Sequence, residues 1–404
     1  MRTILRLENP IRDYAWGSRT AIAGMLGEPA PAAGPQAELW MGAHPAAPSQ
    51  VWLAGQRLSL AELVAREPEA ILGRSVAARF GARLPFLVKL LAAAEPLSIQ
   101  AHPDAEQARA GFARENALAI PIDSERRSYR DASHKPELFC ALEPFEALRG
   151  FRAPDEIRAL AERLGVRGVS QLVGAALEGP APLAALTGAL LRLDPEHCAA
   201  LVAEAAGAAA AASDPGLAWI PRLAARHPRD AGSLAPLFLR YLCLAPGEAI
   251  FLAPGELHGY LGGFGIEVMA SSDNVVRGGL TAKHVDLDEL LRVVRFEPAS
   301  AEVLRPESRP DGTACFRTPA EEFELSVLRV GPGRSFASQA ERGVELLLCT
   351  RGGVRVAARE HAEDLAPGRS CLAPAAAGAY SVTGEGELYR VRVAAMRERA
   401  SGAA

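Results

Sequence analysis

Lysine is almost missing from this chain. Of its 44 basic residues three are lysine, Lys89, Lys135 and Lys283, and the other 41 are arginine. Arginine therefore fills nearly every position where a surface positive charge is all that is needed. The exceptions mark places where a rigid, permanently protonated fork does not serve. A compact ammonium on a flexible stem, able to shift its pKa and pass a proton, does. Codon bias with chance is the plain alternative. Against it, each lysine stands beside other reactive residues: Lys89 upstream of Gln100 and His102, Lys135 between His134 and Glu137, Lys283 after Asn274 and Arg277.

Other shortages narrow the field. The six cysteines (Cys140, Cys198, Cys243, Cys315, Cys349, Cys371) stand singly with no CxxC pair. They read as small buried residues of a reduced protein, neither a disulfide frame nor a zinc ribbon. There is no membrane-length apolar run, and MRTILRLENP lacks the apolar stretch of a signal peptide, so a soluble cytoplasmic protein with no membrane partner is expected. Charge of one sign is not in excess either, and a net charge of −4 argues against a nucleic-acid partner. What is plentiful is apolar: 49% hydrophobic residues over 404 positions suffice for two or three domains with real cores.

Texture divides the chain. Residues 1–150 mix short apolar strands with Gly/Pro turns; helical spacing is present over Leu58–Glu69 and Ala105–Asn116, and Phe86–Leu91 reads as a buried strand. From Pro154 alanine dominates, and Pro154-Asp-Glu, Asp194-Pro195 and Asp214-Pro215 look like helix starts, predicting an insert of four to six helices to about Leu242. A helix is predicted over Asp286–Val294, and Pro298–Pro319 is linker-like. Residues 320–396 give alternating runs (Phe323–Val330, Val344–Cys349, Gly353–Ala358, Tyr380–Val382, Glu387–Val393) of an all-β sandwich or barrel. An internal echo supports two related barrels. Ala245-Pro-Gly leads to Pro254, His258 and Tyr260, while Ala366-Pro-Gly leads to Pro374, Gly378 and Tyr380. The second copy has glycine where the first has histidine, so a metal site is expected in the first only.

Candidate chemistry gathers in few places. Gln100 and His102, two apart, face the same side of an extended segment. With Glu137 and His258 they form a plausible ligand set for a divalent metal of zinc type, although spacing alone is a weak signal. The Gly-punctuated stretch Ile266–Lys283 carries Glu267, Asp273, Asn274, Arg277 and Lys283. It reads equally as a solvated loop or as a segment bringing cations to an anionic substrate. His44, in a His-Pro turn, reads as structural.

Four segments together resemble the type I mannose-6-phosphate isomerases (phosphomannose isomerases), zinc-dependent enzymes of the cupin fold. They are Asn9-Pro10 with Tyr14-Ala-Trp16-Gly17 and Ala37–Pro45; LPFLVKLLAAAEPLSIQAHPD over Leu84–Asp104; YRDASHKPE over Tyr129–Glu137; and HGYLGGFGIEVMASSDNVVRGGLTAK over His258–Lys283. The chain departs from the family pattern at Ser133 (usually Asn), Gly259 and Gly278 (usually Ala) and Ala282 (usually Pro).

The resemblance implies a mainly β protein with two cupin or jelly-roll-like β-barrels and an α-helical domain. The catalytic barrel is expected from residues 1–150 and 243–300, the helical insert at 151–242, and a barrel without metal ligands at 301–404. It implies one zinc ion per chain on Gln100, His102, Glu137 and His258. It also implies active-site positions at Trp16, Lys89, Ser98, His134, Lys135, Tyr260, Glu267, Asp273, Arg277 and Lys283. Lys135 and His134 are the first candidates for proton transfer, then Glu267 and Asp273. Arg277 suits enediol oxygens or phosphate, and Lys89, Ser98 and Lys283 a phosphate pocket; Trp16 and Tyr260 line the sugar. The expected reaction interconverts mannose 6-phosphate and fructose 6-phosphate through a cis-enediol. The alternatives are isomerisation of another aldose or sugar phosphate, and a non-catalytic sugar-phosphate sensor. A monomer is expected, with a weak homodimer as the alternative.

Overall fold

A computed structural model describes residues 3–359 and 361–395. Apolar residues at every position but Lys89 make Phe86–Ala93 a strand buried on both faces, and it is the spine of the first barrel. It lies between Glu38–Gly42 and the long strand His258–Ala270. That long strand serves both halves of the barrel. Its second half pairs with Phe86–Ala93 and Glu137–Ala141, and its first half with Phe145–Phe151 and, at His258, with Ile99–Ala101. The change of partner comes at a register shift between Tyr260 and Gly262. Gly263 has φ of 126°, and a Cβ there would sit 2.5 Å from the Pro144 carbonyl oxygen, so the bend requires glycine.

Two of the three predicted helix starts hold; at Asp214-Pro215 the chain makes a turn, and the helix begins later, at Trp219. Pro154–Leu164 ends at Gly165 in the left-handed region, and Asp194 accepts from the amides of Glu196 and His197 to start Pro195–Ala209. With Arg167–Ala176, Pro182–Leu191, Trp219–Arg226 and the short Ala235–Phe238 they fall within the expected four to six. Ile157, Val169, Val173, Leu186, Leu201 and Leu223 build this insert's core. Glu146 of the first barrel ties the insert down, accepting from Trp219 Nε1 at 2.8 Å and Tyr241 Oη at 2.6 Å.

The second sheet contains Glu324–Val330, Glu345–Ala358, Ser370–Ala373 and Ser381–Arg392. Two of its elements differ from the sequence reading. Val344–Cys349 and Gly353–Ala358 are halves of one strand, because the break at Thr350 is a bulge and Gly352 (φ 74°) bends the chain without turning it back. Tyr380–Val382 and Glu387–Val393 likewise fuse into Ser381–Arg392. Residues 5–7 pair with Ser370–Leu372 in this sheet, and Leu239–Leu244 pairs with Phe145–Phe151 in the first, so both segments cross the boundaries drawn from texture. A shared core unites the barrels: Leu138, Ile266 and Val268 of the first pack with Leu325, Leu346 and Val391 of the second.

Candidate metal centre

Strand ends converge at the mouth of the first barrel. His102 follows Ile99–Ala101, Glu137 begins Glu137–Ala141 and His258 begins His258–Ala270. Gln100 stands directly opposite His258 in the antiparallel register, so their side chains leave on the same face, and its other neighbour is Arg277. The ligating atoms of His102, Glu137 and His258 lie within 4.8 Å of one another, and all three residues are buried. His102 Nε2 is 3.3 Å from Glu137 Oε1, and His258 Nε2 is 3.6 Å from Oε2.

Hydrogen bonds decide what these nitrogens carry. His102 Nδ1 meets the Asn274 carbonyl at 2.8 Å and His258 Nδ1 meets the Glu256 carbonyl at 2.9 Å. A carbonyl only accepts, so Nδ1 holds the proton and Nε2 presents a lone pair. Burial pushes His102 down to about 4, so its ring is neutral near pH 7, against the pull of Glu137. Although burial opposes ionisation, the Lys135 ammonium holds Glu137 well below the usual carboxylate range. Two lone pairs therefore face a carboxylate, and among the described residues His102 Nε2, Glu137 Oε2 and His258 Nε2 have no hydrogen-bond partner. Acceptors crowded together in this way call for a cation, and two imidazoles with a carboxylate suit zinc.

Beside this cluster lies a buried ionic one. Lys89 Nζ is 2.9 Å from Glu267 Oε2 and 3.4 Å from Glu38 Oε1. Tyr260 Oη donates to Glu267 Oε1 at 3.0 Å, and Trp40 Nε1 to Glu38 Oε2 at 2.6 Å. Burial, and then the carboxylates of Glu137 and Glu38, push Glu267 up against the pull of Lys89. Against burial, Glu267 and Glu38 keep Lys89 firmly protonated. The sequence reading gave no role to Glu38 or Trp40. Their one signal in sequence is their place within Ala37–Pro45; the burial of all five residues of Glu38–Gly42, which makes an acid there unusual, is a property of the fold.

The remaining expected positions are spread around these two clusters. Lys135 Nζ lies 3.0 Å from Glu137 Oε1. His134 turns to the second barrel, with Nε2 2.7 Å from Glu322 Oε1. Asp273 is 3.3 Å from Nε2 of His44, whose ring meets Trp40 edge-on. Trp16 is half-buried, stacked on Tyr14 and packed beside the core containing Tyr260 and Phe139. Ser98 is half-buried and Lys283 exposed. Arg277 is half-buried, and among the described residues no acid lies within ion-pair reach of it; burial and then Arg130 draw its pKa down.

Asn274, fully buried, holds the mouth together. Its side-chain oxygen accepts from the amides of Arg130 and Asp131, and its Nδ2 donates to the carbonyls of Asp131 and Ser133. Of the family departures, Gly259 leaves room for a methyl group at 3.5 Å from Ile99, whereas Gly278 would press one to 3.2 Å from Leu257.

Comparison with known proteins follows the same lines. A family model described as the catalytic domain of type I phosphomannose isomerase matches residues 4–154. The mannose-6-phosphate isomerase of Escherichia coli (strain K12) is 38% identical over 392 residues, 96% of this chain and 98% of its own. A crystal structure of zinc-bound mannose 6-phosphate isomerase superposes with a TM-score of 0.91 at 36% identity, covering 97% of this chain and all of the other. A variant of the phosphomannose isomerase from Salmonella typhimurium superposes equally well.

Proposed function

Since this chain belongs to the type I mannose-6-phosphate isomerases, we propose that its buried His–Glu–His cluster is the zinc centre of an aldose–ketose isomerase acting on mannose 6-phosphate and fructose 6-phosphate. The observation that carries the reading is the convergence of three buried, unpartnered acceptor atoms, on His102, Glu137 and His258, beside a proton-bearing cluster. Gln100, in register with His258, is read as the fourth protein ligand. Zinc held there supplies Lewis acidity for the negative charge that develops on a sugar oxygen when a proton leaves the neighbouring carbon.

The chain's own residues supply the proton traffic. The C2 proton of the open-chain aldose must be taken up and returned at C1, while a proton moves between the two oxygens. Glu267 is the favoured carrier: burial brings its pKa nearer neutrality, and Lys89 and Tyr260 fix both of its oxygens. Lys89, expected from the family likeness at the phosphate, is flanked by two carboxylates, so this reading gives it the proton cluster. Lys135, against the ligand Glu137, is positioned to serve the sugar oxygens. Arg277, with a half-buried guanidinium and no acid partner among the described residues, is read with Ser98 and Lys283 as the phosphate-binding set. Trp16 and Tyr260 wall the sugar site. Asp273, beside His44, is read as a positioning group at its rim.

A monomer and a cytoplasmic location are part of the same reading. Turnover of mannose 6-phosphate before and after chelation tests it. Activity should fall to background on zinc removal and return when zinc is restored. Metal-independent turnover, or none with zinc bound, rules the proposal out.

A further inference from the structure

The imidazole of His134, the residue before Lys135 and three before Glu137, faces Glu322 of the second barrel. The two side chains meet at the wall of a cavity of about 30 Å³, which Phe80, Pro85, Ser133 and Ala270 also line. From the isomerase reading above and this contact, we propose that Glu322 is a positioning residue: the second barrel holds the segment Ser133–Glu137, and with it Lys135 and Glu137, through His134.

Three observations carry this. The side-chain ties that the first barrel makes to the segment before Lys135 end at Ser133, whose amide is bound by Asp131 and whose carbonyl is bound by Asn274 and Ser272; beyond it the barrel's backbone holds Pro136, whose carbonyl accepts from the Ala270 amide. Between there and Glu137 the side-chain ties are Glu322 to His134 and Lys135 to Glu137. The anchor is itself rigid. Phe323, next in sequence to Glu322, is fully buried in the core the two barrels share, and Glu321 on its other side is ion-paired with Arg79. Finally, the strand that Glu137 begins rests on the same barrel. Leu138 and Cys140 pack in the shared core, and Cys140 Sγ lies 3.8 Å from Tyr389 Oη. The second barrel thus supports the metal-bearing segment on both sides of Glu137, by an ion pair before it and by apolar packing after it. Sub-ångström placement of reacting groups is worth large factors in rate, which gives such a support its function.

The test uses the full-length zinc enzyme with Glu322→Ala, His134→Ala, the double variant and Glu322→Gln. Turnover of mannose 6-phosphate and the rate of zinc transfer to a chelating dye are both measured. Each single alanine should lower kcat about tenfold with KM changed less than about twofold, and should speed zinc release several-fold. The double variant should be no worse than either single, since both remove one contact. Glu322→Gln keeps the acceptor oxygen and should recover most of the loss; if the alanine variants do not fold, this variant must still lie between wild type and loss, with its zinc release to match. A loss in His134→Ala far beyond that of Glu322→Ala would put the imidazole in the chemistry itself and overturn the proposal. Additive losses, or wild-type kcat and zinc release throughout, overturn it equally. Failure of the wild type to turn over mannose 6-phosphate strikes at the isomerase reading instead, and the zinc-release rates still judge the strap.

Discussion

A lysine enclosed by two carboxylates is a different object from a lysine on a surface. Lys89, 7% exposed, is ion-paired with both Glu38 and Glu267, so its removal leaves two buried acids without their cation. Breaking such a buried pair costs about 3–5 kcal/mol. Lys89→Ala should therefore lower Tm markedly as well as abolish turnover. Lys283 is exposed and its side chain has no partner among the described residues. Lys283→Ala should leave Tm within the noise of surface substitutions, about 0.5 kcal/mol, yet raise KM for the phosphorylated sugar. Thermal melts beside steady-state kinetics separate the two lysines; matching behaviour would contradict their different environments. The scarcity of lysine flagged both positions. It could not tell them apart, because burial is a property of the strands that pack around a residue.

Elements meet at His134 and Glu322, and their contact gives a pH signature. The bond to Glu322 raises His134 above its ordinary 6.5 against the pull of burial. Although burial opposes it, the bond from His134 holds Glu322 below its ordinary 4.5. A raised histidine stabilises fully below its unfolded value and loses that contribution as pH rises through the folded one. A depressed carboxylate stabilises above its unfolded value and loses that contribution as pH falls. The contact is therefore worth most between about pH 4.5 and 6.5. Partial exposure limits it to about 1 kcal/mol. The difference in Tm between wild type and Glu322→Gln should peak near pH 5.5 and shrink towards about pH 9; a flat difference would show that the ion pair contributes nothing. Helices and their caps were legible in sequence at this scale, since Asp194 and Gly165 act within one turn. The fused strands were not. Gly352 reads as a turn, and only pairing along the whole length of Ser381–Arg392 turns it into a bend.

Across the whole molecule, the two barrels echo each other inside as well as in their turns. Tyr260 donates to Glu267 beside Lys89; Tyr380 donates to Glu345, whose second oxygen lies 3.9 Å from Arg390. The charges have changed strands. The first barrel carries tyrosine and acid on one strand and the cation on its neighbour. In the second, arginine stands on the strand that Tyr380 leads into, and the acid on the neighbour. Where the first barrel has His258, the second has Gly378 with φ of 71°. The core shared by the barrels predicts that they unfold together. Calorimetry should show one transition for both, and Leu325→Ala, deep in that core, should lower it by about 2–5 kcal/mol. Separate barrel transitions would contradict the shared core.

Sequence by itself determined the two strand-rich regions, the helical insert and the residue types of the metal set, because alternation, caps and side-chain chemistry are local properties. The family likeness, carried by four separated motifs, placed those residues in one site. Tertiary structure decided the rest. It set Glu38 and Trp40 beside Lys89, turned His134 towards the second barrel, and left the Nε2 atoms of His102 and His258 without donors. Each of these depends on which strand lies opposite which, over separations of 51 residues for Glu38 and Lys89 and 188 for His134 and Glu322. No local pattern encodes a partner at that distance; the packing of the barrels supplies it.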